Sequence, residues 1–223
     1  MMMINLINPI QPHQHKPMLH VSVSHILPIV AAWHFIEREI AKSKNMTDVL
    51  HSIIFMLHYS CQYDLAYAIH LSIGFYLYDT LHLLKSGSME KSAKYIVHHV
   101  LAIYVLNTSL AVPRHAADAI LHGYNILEMS NLGLYLNKHV VKAHGDKPSL
   151  LLLSRLVEFL WYASFRVLKL TPYMIEISGD ARALGMEIWF MLFMIYGMGL
   201  VWSHKLFMIN ARNYADLKKL VMP

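Results

Sequence analysis

Two adjacent histidines, His98 and His99, lie just inside an apolar segment, nineteen residues after the stretch Gly74-Phe75-Tyr76-Leu77-Tyr78-Asp79. Titratable groups at the depth of a lipid bilayer are costly, and by default they mark function. An imidazole works as general base on an amine or hydroxyl, or as a nucleophile that holds an acyl group. A nearby carboxylate such as Asp79 fixes its tautomer and supports its positive form. The chemistry this set suits is acyl transfer, with His98, His99 and Asp79 as the catalytic candidates. A metal reading fares worse: a dinuclear site needs several histidine pairs spaced HxxxH and HxxHH on one face. No HxxHH occurs here, and His139 and His144 are spaced HxxxxH, so no metal site and no bound cofactor are expected.

The elements that must position these groups follow from composition. Of 223 residues, 56% are hydrophobic and 15% charged, and the apolar residues gather in blocks close to the ~20 residues that cross a bilayer. The expected fold is an all-α membrane bundle of six to seven transmembrane helices, over 18–36, 46–63, 67–84, 95–112, 116–136, 150–170 and 185–207. The first two segments are the weakest. The first holds Ser22, Ser24, His25 and Pro28, and the second has a strong apolar run only from Val49 to Cys61. Residues 1–17 lack a continuous apolar core and read as a mobile tail without a cleavable signal. Residues 208–223 are polar and amphipathic, and read as a cytosolic tail able to lie as a short helix on the membrane surface.

Lys and Arg set the orientation. Thirteen fall on the side of the loops 37–45, 85–94 and 137–149 and the C-terminal tail, against four on the other. Those loops and the C-terminus are therefore expected in the cytosol and the N-terminus in a lumen. The net charge of +5 lies largely in these loops, so no nucleic-acid partner is needed to explain it. The single cysteine, Cys61, excludes an internal disulfide framework and reads as a small core residue.

Topology turns residue numbers into depths, because a helix rises about 1.5 Å per residue. On that count Asp79 lies about 8 Å inside the cytosolic face, His98 and His99 about 5 Å, Glu128 about 12 Å and Arg155 about 8 Å. These groups share the cytosolic half, where an acyl-CoA co-substrate would keep its carrier in water and its chain in the bundle. Glu128 and Arg155 are candidates for holding the substrate. A second polar stripe, His115, Asp118, His122 and Asn125, occupies one face of the fifth span within about 80° and is expected to point inward. Asp118 and His122 form an i,i+4 pair able to orient the imidazole, so Asp118, His122 and Asn125 join the substrate-binding candidates. On the sixth span Arg155, Glu158 and Arg166 share an arc, and the two arginines are placed to snorkel towards opposite faces. The lone His51, His58 and His70 read as interhelical hydrogen bonders, and Trp33, Trp189 and Trp202 as interfacial anchors.

Gly74-Phe75-Tyr76-Leu77-Tyr78-Asp79, then His98-His99 opening an apolar helix, then Glu128-Met129-Ser130-Asn131 together resemble the TLC domain, the family named for TRAM, Lag1 and CLN proteins. The resemblance covers about 46–207. It implies a multi-pass protein of lipid metabolism in the endoplasmic reticulum, with membrane lipids as partners. The ceramide synthases of that family join an acyl-CoA to a sphingoid base, and His98 and His99 match their paired active-site histidines. Those enzymes follow the pair with His-Asp-x-x-Asp, whereas here His122 precedes Gly123 and Ile126 stands at the second aspartate. The sequence is closer to the wider TLC-domain group. Two functions follow as expectations: an acyl-CoA-dependent N-acyltransferase acting on an amine-bearing lipid, or a non-catalytic protein that binds lipid or governs membrane composition or trafficking.

Overall fold

The computed structural model describes residues 23–61, 64–85, 89–178 and 185–221. The expected tail, 1–17, and residues 18–22 of the first expected span lie outside them. Among the described residues there are seven helices and no strand. Helix α1 (Val23–Phe35) carries Pro28 in its early turns, where a missing donor costs one intrahelical bond, and widens into a π-helical turn (Ile36–Ala41). Lys42 ends it with φ 53, the left-handed conformation that stops a helix. Ser43 then caps α2 (Lys44–Ser60), its Oγ accepting from the Met46 amide at 3.3 Å. Asp64 caps α3 (Leu65–Lys85) by accepting from the Ala66 and Tyr67 amides.

Helix α4 (Met89–Ser109) is followed by α5 (Arg114–His144), where the Ala116 and Ala117 amides bond the Pro113 carbonyl. Helix α6 (Pro148–Ala163) opens on a proline, whose missing N–H is harmless in a first turn. It widens into a second π-helical turn (Ser164–Lys169) and resumes as Leu170–Ser178. Helix α7 (Met186–Val221) closes the fold, so residues 208–221 continue this helix rather than forming a separate one.

Helix α5 stands between two apolar cores. On one side Tyr124 and Leu121 meet Trp33, Phe55, Phe75 and Leu106 from α1 to α4; on the other, Ile120 and Leu127 meet Phe165, Met174, Ile188 and Ile195 from α6 and α7. Helices α1 and α3 come into direct contact because position 74 is glycine: a Cβ there would lie 2.5 Å from Ile29 Cγ2. Large apolar side chains such as Leu27, Leu57, Leu168, Ile175, Phe190 and Val201 cover the outside.

Among the described residues one helix, over Met186–Tyr214, is long and apolar enough by itself to cross a membrane. The other helices fall short of the expected set of spans for visible reasons. The α-helical part of α1 has 13 residues, α4 opens on Glu90, Lys91 and Lys94, and α5 carries polar groups along its length. Three residue expectations also change. Trp33 is 1% exposed and donates to the Leu71 carbonyl at 3.1 Å, a core residue rather than an interfacial anchor. Trp202 packs on His98, and Cys61 is exposed at the end of α2 rather than in the core.

Candidate functional site

The aspartate and one histidine of the expected trio meet. On α3, Asp79 Oδ2 lies 3.3 Å from His99 Nε2, and the next residue, Thr80, places its Oγ1 3.1 Å from His99 Nδ1. With Nε2–H facing the carboxylate and the Thr80 hydroxyl donating to Nδ1, both ring nitrogens are satisfied by one tautomer. The other oxygen of Asp79 lies 3.0 Å from Lys44 Nζ, which also bonds Asp48 one turn on. Lys44 ends the first cytosolic loop of the expected topology, and its neighbour Asn45 donates to the Tyr135 carbonyl at 3.2 Å. The α2 N-terminus, the α3 C-terminal turns and the α4 entry are thus tied at one level.

Glu128 is the hub of a second cluster. It is 2% exposed and accepts from Ser52 Oγ at 2.5 Å and from Tyr76 OH at 2.8 Å, with His51 Nδ1 3.7 Å away. Tyr124 OH donates to Tyr76 OH at 2.8 Å, and His51, stacked on Phe75, reaches Ser72 Oγ at 3.0 Å. Both carboxylate oxygens are engaged, which is how a buried charge is made tolerable.

Ser130 faces another way from Glu128, since two residues along a helix turn the side chain by about 200°, and Asn131 lies one residue further round. They receive the guanidinium of Arg166 at 2.7 Å (Nε to Ser130 Oγ) and 3.3 Å (Nη2 to Asn131 Oδ1). Arg166 is 2% exposed, lies over the Tyr162 ring, and has room because position 199 is glycine: a Cβ there would be 3.0 Å from Nη1. His98 completes this side. Its ring packs among Tyr76, His99 and Trp202, and its Nδ1 is buried with no hydrogen-bond partner. The three sequence motifs therefore interlock: Tyr76 with Glu128, Asp79 with His99, and the two residues after Met129 with Arg166.

A family model described as TLC domain matches residues 18–210. The chain belongs to the TLC-domain family. No curated protein and no solved structure matches it. In this TLC-domain protein the matched region takes in every helix that carries the polar layer.

The arginine of that layer is Arg166, not Arg155. Counting depth from residue 137 or 150 set Arg166 towards the far face, but α5 runs on to His144 and α6 starts at Pro148. Helix α5 therefore runs about two turns beyond its expected end, and α6 begins two residues before its expected start. Arg166 comes level with Ser130, while Arg155 is half-buried nearer the start of α6, its carbonyl accepting from Asn210. Glu158 also sits in the hairpin of α5 and α6, accepting from Asn137 Nδ2 at 2.6 Å, with Ser154 donating to Asn137 Oδ1.

The second stripe does not point inward as expected. His115, Asp118 and His122 are exposed, and only Asn125 is half-buried. The reason is that α5 turns its apolar residues and Glu128 to its neighbours, leaving this arc outside at the helix start. Asp118 lies 3.8 Å from Arg114 rather than bonding His122, whose Nδ1 bonds Tyr59 OH at 2.9 Å. His58 and His70 each donate to a carbonyl of their own helix. A narrow apolar cleft lined by Gly123, Tyr173, Met174, Leu192 and Tyr196 runs between α5, the end of α6 and α7, and takes in neither His98 nor His99. Sequence reasoning passed over Lys44, Asp48, Ser52, Tyr76, Thr80 and His51 as site members. Tyr76 alone carried a signal, through its place in the 74–79 stretch.

Proposed function

We propose that this TLC-domain protein is a multi-pass membrane protein of lipid metabolism, in the endoplasmic reticulum, that transfers an acyl group from acyl-CoA to an amine-bearing lipid. Its N-terminus faces the lumen and its C-terminus the cytosol, and six to seven of its helices cross the bilayer. The observation that carries the reading is the difference between the two histidines. His99 is held at both nitrogens and serves as the positioning residue. His98 keeps Nδ1 buried and unpartnered, the state of a base waiting for a proton. With its own proton on Nε2, His98 Nδ1 takes a proton from the lipid amine as the nitrogen attacks the thioester carbonyl. The C–N bond forms, the C–S bond breaks, and the proton passes to the departing thiolate. Asp79 acts through His99, and Glu128 through Tyr76, to hold the two rings in register.

The cleft reaches neither histidine and so offers no room for an acyl chain beside them, which favours a second reading, a protein that binds lipid or governs membrane composition or trafficking without chemistry. The test is to express the full chain in cells lacking their own ceramide synthases, feed labelled fatty acid, and resolve the lipid classes. Acyl transfer predicts a new labelled amide lipid that disappears with His98→Ala and falls at least tenfold with His99→Ala at equal protein level. No change in any lipid class, or full activity in both variants, rules it out and leaves the binding reading.

A further inference from the structure

Arg166 presents an electrostatic problem that the acyl-transfer reading does not use. Its guanidinium is buried, its hydrogen bonds to Ser130 and Asn131 go to neutral groups, and among the described residues no carboxylate forms an ion pair with it. A buried positive charge without a counter-charge is unfavourable in low dielectric. The chain nevertheless makes room for it, with glycine at position 199 and a π-helical turn at Ser164–Lys169, a local widening that often accompanies function. Two further polar atoms stand unpartnered beside it. Tyr162, whose ring carries the guanidinium at 5.1 Å, is fully buried with its hydroxyl unbonded, and His98, within electrostatic reach of Arg166, has its Nδ1 unbonded.

These groups share a seam between α4, α6 and α7. Tyr95 and Trp202, ring centres 5.7 Å apart, line its outer part, and Tyr95 is exposed while Trp202 is half-buried. A fork of guanidinium donors beside a phenol hydroxyl is the chemistry that recognises an oxyanion. We infer that Arg166, with Tyr162, binds the anionic headgroup of a single membrane lipid, a carboxylate or phosphate on an acyl chain that lies along the α4–α7 seam. The aromatic pair supplies the apolar wall such a chain needs. This site stands whether or not His98 also performs acyl transfer, since it rests on Arg166 and Tyr162.

The test uses the full chain purified in a neutral maltoside detergent, titrated with oleate, lysophosphatidic acid, lysophosphatidylcholine and inorganic phosphate, with thermal unfolding and native mass spectrometry as readouts. Oleate or lysophosphatidic acid is expected to raise the unfolding temperature and to remain bound in the gas phase, whereas the zwitterionic lysolipid does neither. Which of the two anions binds tighter identifies the headgroup. Arg166→Gln is expected to weaken that binding tenfold or more, and Tyr162→Phe about three- to tenfold. Equal binding of lysophosphatidylcholine, or equal stabilisation by inorganic phosphate alone, overturns the proposal. So does unchanged affinity in Tyr162→Phe, the variant that decides the matter if Arg166→Gln does not fold. A tenfold fall of acyl transfer in His99→Ala, with anion binding kept in the same variant, separates the two readings.

Discussion

At the scale of residues, two neighbours of identical type have been given different surroundings. On a helix adjacent side chains diverge by about 100°, so His99 turns to α3 and meets Asp79 and Thr80, while His98 turns towards α7 and meets Trp202. Asp79 is shared between His99 and Lys44, and removing its charge weakens the acceptor facing the His99 Nε2–H and leaves Lys44 with Asp48 alone. Asp79→Asn is therefore expected to lower stability by about 1.5–3 kcal/mol, read as a lower unfolding temperature in detergent. An unchanged melting curve would mean that the pair is held by packing alone. Glu128→Leu leaves the Ser52 and Tyr76 hydroxyls buried without their acceptor and is expected to cost more than Glu128→Gln, which keeps one carbonyl oxygen. Asp79 with His99 was legible in the sequence, because both stood near the same end of adjacent helices. Arg166 was not, because its depth depended on where two helices end.

Among elements, α5 does the most to organise the site. Its successive residues serve different neighbours: Glu128 bonds α2 and α3, the Met129 carbonyl accepts from Trp161, and Ser130 holds Arg166 from the π-helical turn of α6. That turn matters because a widened helix shifts the register of everything after it. The contact of α1 with α3 depends on Gly74, and Gly74→Val is expected to force the helices apart at a cost of about 1–3 kcal/mol or more. The check is thermal unfolding, and a stability within experimental error of the parent would show that α1 is free to move aside. Both π-helical turns left no mark in the hydrophobic pattern, so nothing in the sequence signalled the change of register they bring.

On the scale of the whole molecule, the charge asymmetry and the helix order make a topology that the lone cysteine can test. Cys61 is exposed at the end of α2, on the side expected to be lumenal, and Lys142 is exposed near the end of α5, on the side expected to be cytosolic. In sealed microsomes a membrane-impermeant maleimide is expected to leave Cys61 unlabelled until the membrane is permeabilised. It should label Lys142→Cys, made in a Cys61→Ser background, without permeabilisation. Ready labelling of Cys61 in sealed vesicles would invert the orientation. The apolar exterior, with Leu168, Ile175 and Val201 among its outward residues, is the surface that lipid would cover.

What the sequence determined by itself was the helical class, the family and the meeting of Asp79 with one of the two adjacent histidines. Hydropathy blocks, charge placement and short motifs are local signals, and each survives being read one residue at a time. The tertiary structure decided which histidine is held and which is left with an unpartnered nitrogen. It also decided that Arg166 rather than Arg155 stands in the polar layer, and that the His115–Asp118–His122 face looks outward. Those outcomes depend on where helices end, how far a π-helical turn rotates the chain, and which neighbour each face meets. These are properties of several segments packed together, and no single segment carries them.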